Sequence, residues 1–308
     1  MTEPTGDPAG PAAEPVPTTE TGRKAVAAVL AALDLATVTD RPDTFVGTSL
    51  PQPGGRVFGG QVLAQALLAA ARTVAADRLP HSMHAYFMRP GDAQVPIGLG
   101  VERLRDGRSF SVRRVTAVQH DQPLLSATMS FQVDQPGLDN HEPVPGMVPP
   151  PDEVPTAADV LAHLNHPVAR YWSQETAFDV RHVDGALYVA GQPSATGRQL
   201  VWMRSRTPVP DDPVLHRALM AFACDQVMLE PSMRRSGLSW SQPGLSVASL
   251  DHAMWWHRPA RVDEWLLYAQ SSPSTQGGRG LGKARVFTAD GTMVASIAQE
   301  GMIRVPLD

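Results

Sequence analysis

Cysteine is almost absent from this 308-residue chain, in which Cys224 is the only thiol. A single cysteine cannot close an internal disulfide or build a cysteine-rich zinc site, and it points to a reducing compartment. Excess positive charge is lacking as well: 26 Lys and Arg stand against 31 Asp and Glu, a formal net charge of −5. Without a broad positive field, nucleic acid and anionic membrane surfaces are not expected partners. No apolar run reaches the roughly 18 residues of a membrane span. The first residues lack the basic, apolar and small-residue order of a secretion signal, and the ending MIRVPLD is not a peroxisomal SKL-type address. The expected location is the cytoplasm. His81, His84, His252 and His257 fall in two distant pairs without HExxH or a comparable ligand spacing, so no metal is expected.

What the chain does contain is material for a large core, with 43% hydrophobic against 19% charged residues. Residues 1–22 are rich in Pro, Thr, Glu and Gly and read as a disordered tail. A short helix is expected from Arg23, and the apolar run FGGQVLAQALLAAARTV, residues 58–74, predicts a buried helix. Strand-like segments follow at His84–Met88, Ile97–Leu104, Ser109–Val118 and Leu124–Val133, divided by turn signals. A proline-rich, acidic stretch opens a connector assigned to 134–180, which separates a unit at 23–133 from one at 181–308. In the second unit Asp212-Pro213 starts a helical run through VLHRALMAFACDQVML. Strands are then expected near Ser246–Trp256, Trp265–Ser271, Gly280–Thr288 and Met293–Gln299. The order helix, strand, strand, strand, strand thus occurs twice. Local echoes agree with a duplication: HAYFMRP against HAMWWHRP, FGGQV against FACDQV, and SATMSFQ against VASIAQ.

Five strings carry a family likeness: RVFGGQVLAQAL, HAYFMRPGD, ERLRDGRSFSVRRV, DHAMWWHRP and VASIAQEGMIR. Together, and in this order, they resemble the acyl-CoA thioesterase II, or TesB-like, family over nearly the whole chain beyond the tail. The resemblance implies an α+β double hotdog, two fused units that each wrap an antiparallel sheet around a helix. It also implies hydrolysis of fatty acyl-CoA to fatty acid and CoA without a cofactor, in a homo-oligomer, dimer or tetramer. Fusion would pair two sheet edges inside one chain and leave the copies free to diverge.

Thioester hydrolysis needs a basic group for water, a polar group to orient it and donors for the developing oxyanion. The resemblance implies that Asp225, Ser249 and Gln299 hold the water and that no acyl-enzyme forms. Ser249 departs from the threonine expected there, keeping the hydroxyl but losing the β-branched restraint. Asp251 and His252 beside Ser249 suggest a serine triad. Against it, G-x-S-x-G is absent, and alternation along one strand would place His252 on the opposite face from Ser249. Cys224 reads as an apolar filler. Gly59 and Gly60 suit either an oxyanion site at a helix start or tight helix packing. Arg105, Arg108 and Arg279 are candidate donors to CoA phosphates, or solvated turn residues. GGRGLG precedes a strand-like KARVF, which argues against a dinucleotide loop. Two rival functions are a non-catalytic acyl-CoA binder and a double-hotdog enoyl-CoA hydratase, although no hydratase motif is visible.

Overall fold

The structure is a computed structural model that describes residues 19–306 apart from 53, 162, 166 and 192. Most of the expected tail lies outside the described residues. Its last part does not match the expectation: helix α1 spans Glu20–Leu33, three residues earlier than anticipated. Thr19 explains the early start, because its hydroxyl accepts from the Gly22 amide at 3.1 Å and caps the first turn. Val26, Val29 and Leu33 form the buried stripe of α1.

The first unit continues with β1 (Ala36–Thr37), β2 (Thr44–Gly47), α2 (Gly59–Ala71), β3 (Arg78–Phe87), β4 (Ile97–Asp106), β5 (Phe110–Gln119) and β6 (Gln122–Val133). Helix α2 is buried on nearly every side, as its apolar run predicts. Its two buried glutamines tie down the segment before it. Gln61 accepts from the Leu50 amide at 2.8 Å, and Gln65 donates to Thr48 O and Ala32 O, both at 2.8 Å.

Within the expected connector lie a 3₁₀ turn (Pro151–Glu153), α3 (Ala157–Leu161), α4 (Pro167–Arg170) and a π-helical turn (Tyr171–Glu175). Strand β7 (Phe178–His182) straddles the boundary set at 180/181, and β8 (Arg198–Ser205) follows; neither was anticipated. Then come α5 (Pro213–Cys224), α6 (Glu230–Arg235), β9 (Ser246–Ser249), β10 (Asp251–Trp256), β11 (Leu266–Gln276), β12 (Arg279–Thr288) and β13 (Met293–Arg304). Asp212 caps α5 through bonds from the Val214 and Leu215 amides, with Pro213 in the first turn.

Among the described residues the strands form one sheet in the order β1-β2-β4-β5-β6-β3-β10-β13-β12-β11-β8-β7, with β9 beside β13. The two units meet at β3 and β10, where His84 lies opposite Ala253. Their hydrogen bonding repeats: the Met88 and Arg89 amides donate to Leu124 O, and the His257 and Arg258 amides donate to Val294 O. Each half therefore wraps its helix with an antiparallel sheet, the double hotdog that the resemblance implies.

The second helix is shorter than expected, ending at Cys224 and resuming at Glu230. The turn between them presses on β12 so closely that a Cβ on Gly282 would lie 1.9 Å from Met228 O. That contact accounts for GGRGLG. Gly277 and Gly278 supply the positive φ angles of 61° and 70° in the β11–β12 hairpin, and Gly282 admits the helix break. Gly282→Ala should lower the melting temperature by several degrees, reflecting about 1–3 kcal/mol of overpacking. Gly100→Ala, where nothing lies within 4 Å of the new Cβ, should be nearly silent in the same melt. Equal melting of the two variants would show that the turn does not depend on Gly282.

Candidate active site

Gln299 pairs across β13–β12 with Gly282. The close approach of the 225–229 turn at Gly282 therefore sets Asp225, the C-cap of α5, down on the Gln299 side chain. Gln299 Nε2 donates to Asp225 Oδ1 at 2.7 Å and to Ser249 Oγ at 2.9 Å. Ser249 Oγ in turn donates to Asp225 Oδ1 at 3.0 Å. The three residues named from the sequence thus form one closed hydrogen-bonded triangle. Asp225 Oδ1 takes both bonds. Oδ2 points toward α2, 2.7 Å from where a Cβ on Gly59 would stand.

A fourth member was not anticipated. His252, which is 1% exposed, has Nδ1 2.7 Å from Gln299 Oε1. A carbonyl oxygen only accepts, so Nδ1 carries the proton and donates. Burial holds the imidazole below its ordinary pKa and keeps it neutral, outweighing the opposing pull of the Gln299 bond. Its Nε2 faces Cys224 Sγ at 3.9 Å. The expectation that His252 faces away from Ser249 fails because the strand is not continuous. Ser249 pairs with Gly301 and Ala253 with Ala298, so four steps on one side match three on β13. This one-residue bulge at Leu250 reverses the alternation and turns His252 inward.

The same geometry leaves the serine triad without a base, since neither His252 nitrogen bonds Ser249. Asp251 is also engaged elsewhere, accepting from the Glu300 amide at 2.8 Å. Cys224 is fully buried, and burial together with the Asp225 charge pushes its thiol well above the usual range, so it stays protonated.

Asp225, Ser249 and Gly59 open onto a cavity of about 720 Å³ between the two units. Phe58, Phe87, Leu124, Leu229, Val247 and Met302 make its wall largely apolar. Trp240 is another wall residue. Its indole donates to Glu230 at 2.9 Å, and that wholly buried carboxylate also accepts from His182 and Gln199.

The two glycines part company. Gly59 lies on the cavity at the first turn of α2, where amides lack intrahelical acceptors. Gly60 serves packing, because a Cβ there would meet Phe222 O at 2.4 Å. The expected arginines are not on the cavity wall. Arg105 and Arg108 belong to the β4–β5 hairpin, which packs at the far end of α2 through Arg113 and Thr73. Arg279 pairs with Glu300 at 3.1 Å. Arg56 and Arg89 line the cavity instead, both exposed and neither in an ion pair among the described residues. Arg89 stands in HAYFMRP, a string quoted for its likeness but not read for its charge.

His81 and His257 each contact a serine hydroxyl at 2.8 Å, and His84 stands edge-on to Trp255. Among the described residues no group of three or more His, Cys, Asp or Glu is placed to hold a metal ion.

The first unit holds no copy of the triangle. His84 pairs with Thr128 as Ala253 pairs with Ala298, which makes Met129 the counterpart of Gln299. The counterpart of Arg89 is Arg258, which is held by Asp139 and Asn140 O of the connector.

Comparison with known proteins bears on the fold and the family. Family models described as acyl-CoA thioesterase and acyl-CoA thioesterase N-terminal domain match residues 172–302 and 48–132. Acyl-CoA thioesterase 2 of Haemophilus influenzae is 36% identical, covering 81% of this chain and 88% of its own. Acyl-coenzyme A thioesterase 8 of Homo sapiens is 36% identical over 85% of both chains. A solved acyl-CoA thioesterase II TesB2 from Mycobacterium marinum is 40% identical with a TM-score of 0.73, covering 90% of this chain and 98% of that one. With its fold, its fused halves and its sequence all in agreement, the chain belongs to the acyl-CoA thioesterase family.

Proposed function

We propose that this enzyme, an acyl-CoA thioester hydrolase by family, attacks its substrate directly with a water molecule activated by Asp225. The observation that carries this reading is the division of labour within one carboxylate. Oδ1 is occupied by Gln299 and Ser249, which leaves Oδ2 facing the cavity beside Gly59. A water held by Oδ2 gives up a proton as its oxygen bonds the thioester carbon. The carbonyl oxygen becomes an oxyanion, for which the Gly59 amide and the positive end of α2 are the donors at hand. Collapse breaks the carbon–sulfur bond, the fatty acid leaves, and the proton on Asp225 returns to the CoA thiolate. Gln299 and Ser249 hold the carboxylate in line, and His252 fixes which end of the Gln299 amide faces it.

Arg56 and Arg89 are the proposed phosphate contacts for CoA, in place of Arg105, Arg108 and Arg279. Passive binding is disfavoured because Ser249, despite departing from threonine, makes both bonds its hydroxyl is needed for. No helix among the described residues is long and apolar enough to cross a membrane. A cytoplasmic location and a homo-oligomeric assembly complete the proposal.

Asp225→Asn keeps the volume but removes the base, and turnover should fall by about 10² or more while acyl-CoA still binds in calorimetry. Near-normal hydrolysis by this variant would remove Asp225 from the role. His252 is separable by two amides. His252→Asn places an N–H close to the position of Nδ1 and should keep kcat within a few-fold. His252→Gln reaches instead toward Nε2 and leaves Gln299 Oε1 unpaired; kcat should drop about tenfold at unchanged KM, the cost of one lost buried hydrogen bond. Equal losses in the two variants would mean that His252 only fills space.

A further inference from the structure

Beside the active-site cavity lies a second cleft of about 330 Å³, and Gln52 and Gln226 line both. Its floor is apolar: Ala25, Ala28 and Val29 of α1, with Leu50, Ala177 and Phe222. No lysine or arginine lines it, and Glu175 does, so its charge repels phosphate while its surface suits methylene groups. Both shared residues carry polar amide side chains. Gln52 is bonded to the Tyr171 side chain, and the buried Gln226 Oε1 has no hydrogen-bond partner among the described residues. An unpaired amide oxygen gives Gln226 little reason to hold one rotamer.

We propose that this cleft receives the distal end of the acyl chain, which passes between Gln52 and Gln226. Helix α1 and the π-helical turn at Tyr171–Glu175 of the connector then set the preferred chain length. The proposal rests on the reading of the first cavity as the acyl-CoA site and names the continuation of that site. The small residues at 25 and 28, one helical turn apart on α1, are what leave the space open.

Non-hydrolysable S-alkyl-CoA thioethers from butyl to hexadecyl, titrated calorimetrically into the full chain, test this without relying on turnover. In the wild type, affinity should rise about three- to fourfold per methylene over the lengths that enter the cleft. Ala28→Trp, at an exposed helix position, should end that rise at a shorter chain and lower the hexadecyl-to-butyl affinity ratio at least tenfold. Ala25→Leu, a smaller filling by a good helix former, should do the same by a lesser factor and stands in if the tryptophan variant fails to fold. An unchanged ratio in folded variants would overturn the subsite and leave the active-site reading intact. If no thioether binds the wild type at all, the acyl-CoA reading of the first cavity falls and the subsite with it.

Discussion

Asp225, Ser249 and His252 meet at the side chain of Gln299. It is a neutral amide, wholly buried, with each end committed: its oxygen accepts from His252 and its nitrogen donates to Asp225 and Ser249. A buried amide turned the wrong way would set oxygen against carboxylate and nitrogen against the imidazole donor, so this network has one arrangement. That arrangement occupies one oxygen of Asp225 with both bonds and leaves the other clear of them. A helix break over Gly282 and a one-residue bulge at Leu250 bring the four side chains together.

Fusion of two similar units explains why one such site, and not two, stands among the described residues. Pairing β3 with β10 removes two open sheet edges and joins the halves across a pseudo-symmetric seam. On one side of that symmetry stand Gln299 and an exposed Arg89 on the cavity wall; on the other, Met129 and an Arg258 covered by the connector. The polar triangle lies in the second unit. The first contributes the N-terminus of α2 and much of the cavity wall.

Periodicity and turn chemistry made the two helices and the eight meander strands legible, because their apolar residues repeat at 3.6 or 2 and their turns carry Gly, Asp or Pro. Strands β7 and β8 were missed because both faces are mostly buried, which erases the alternation that marks a strand. Asp225, Ser249 and Gln299 could be named from short strings that the resemblance supplied. His252 was misplaced because a bulge is a tertiary event: nothing in VASLDHAM marks the extra residue, and one residue reverses every later side chain. The placement of the arginines was illegible for a related reason. Charge is visible in sequence, but Arg105 and Arg89 differ only in which end of α2 they reach.

On the proposed mechanism water, and no enzyme side chain, attacks the thioester. Rapid quench of the enzyme mixed with excess acyl-CoA, followed by intact mass, separates this route from a covalent one. Only the unmodified chain should appear at every time point while free CoA accumulates. A transient species heavier by one acyl group, located on Ser249 by peptide mapping, would establish a covalent serine route instead.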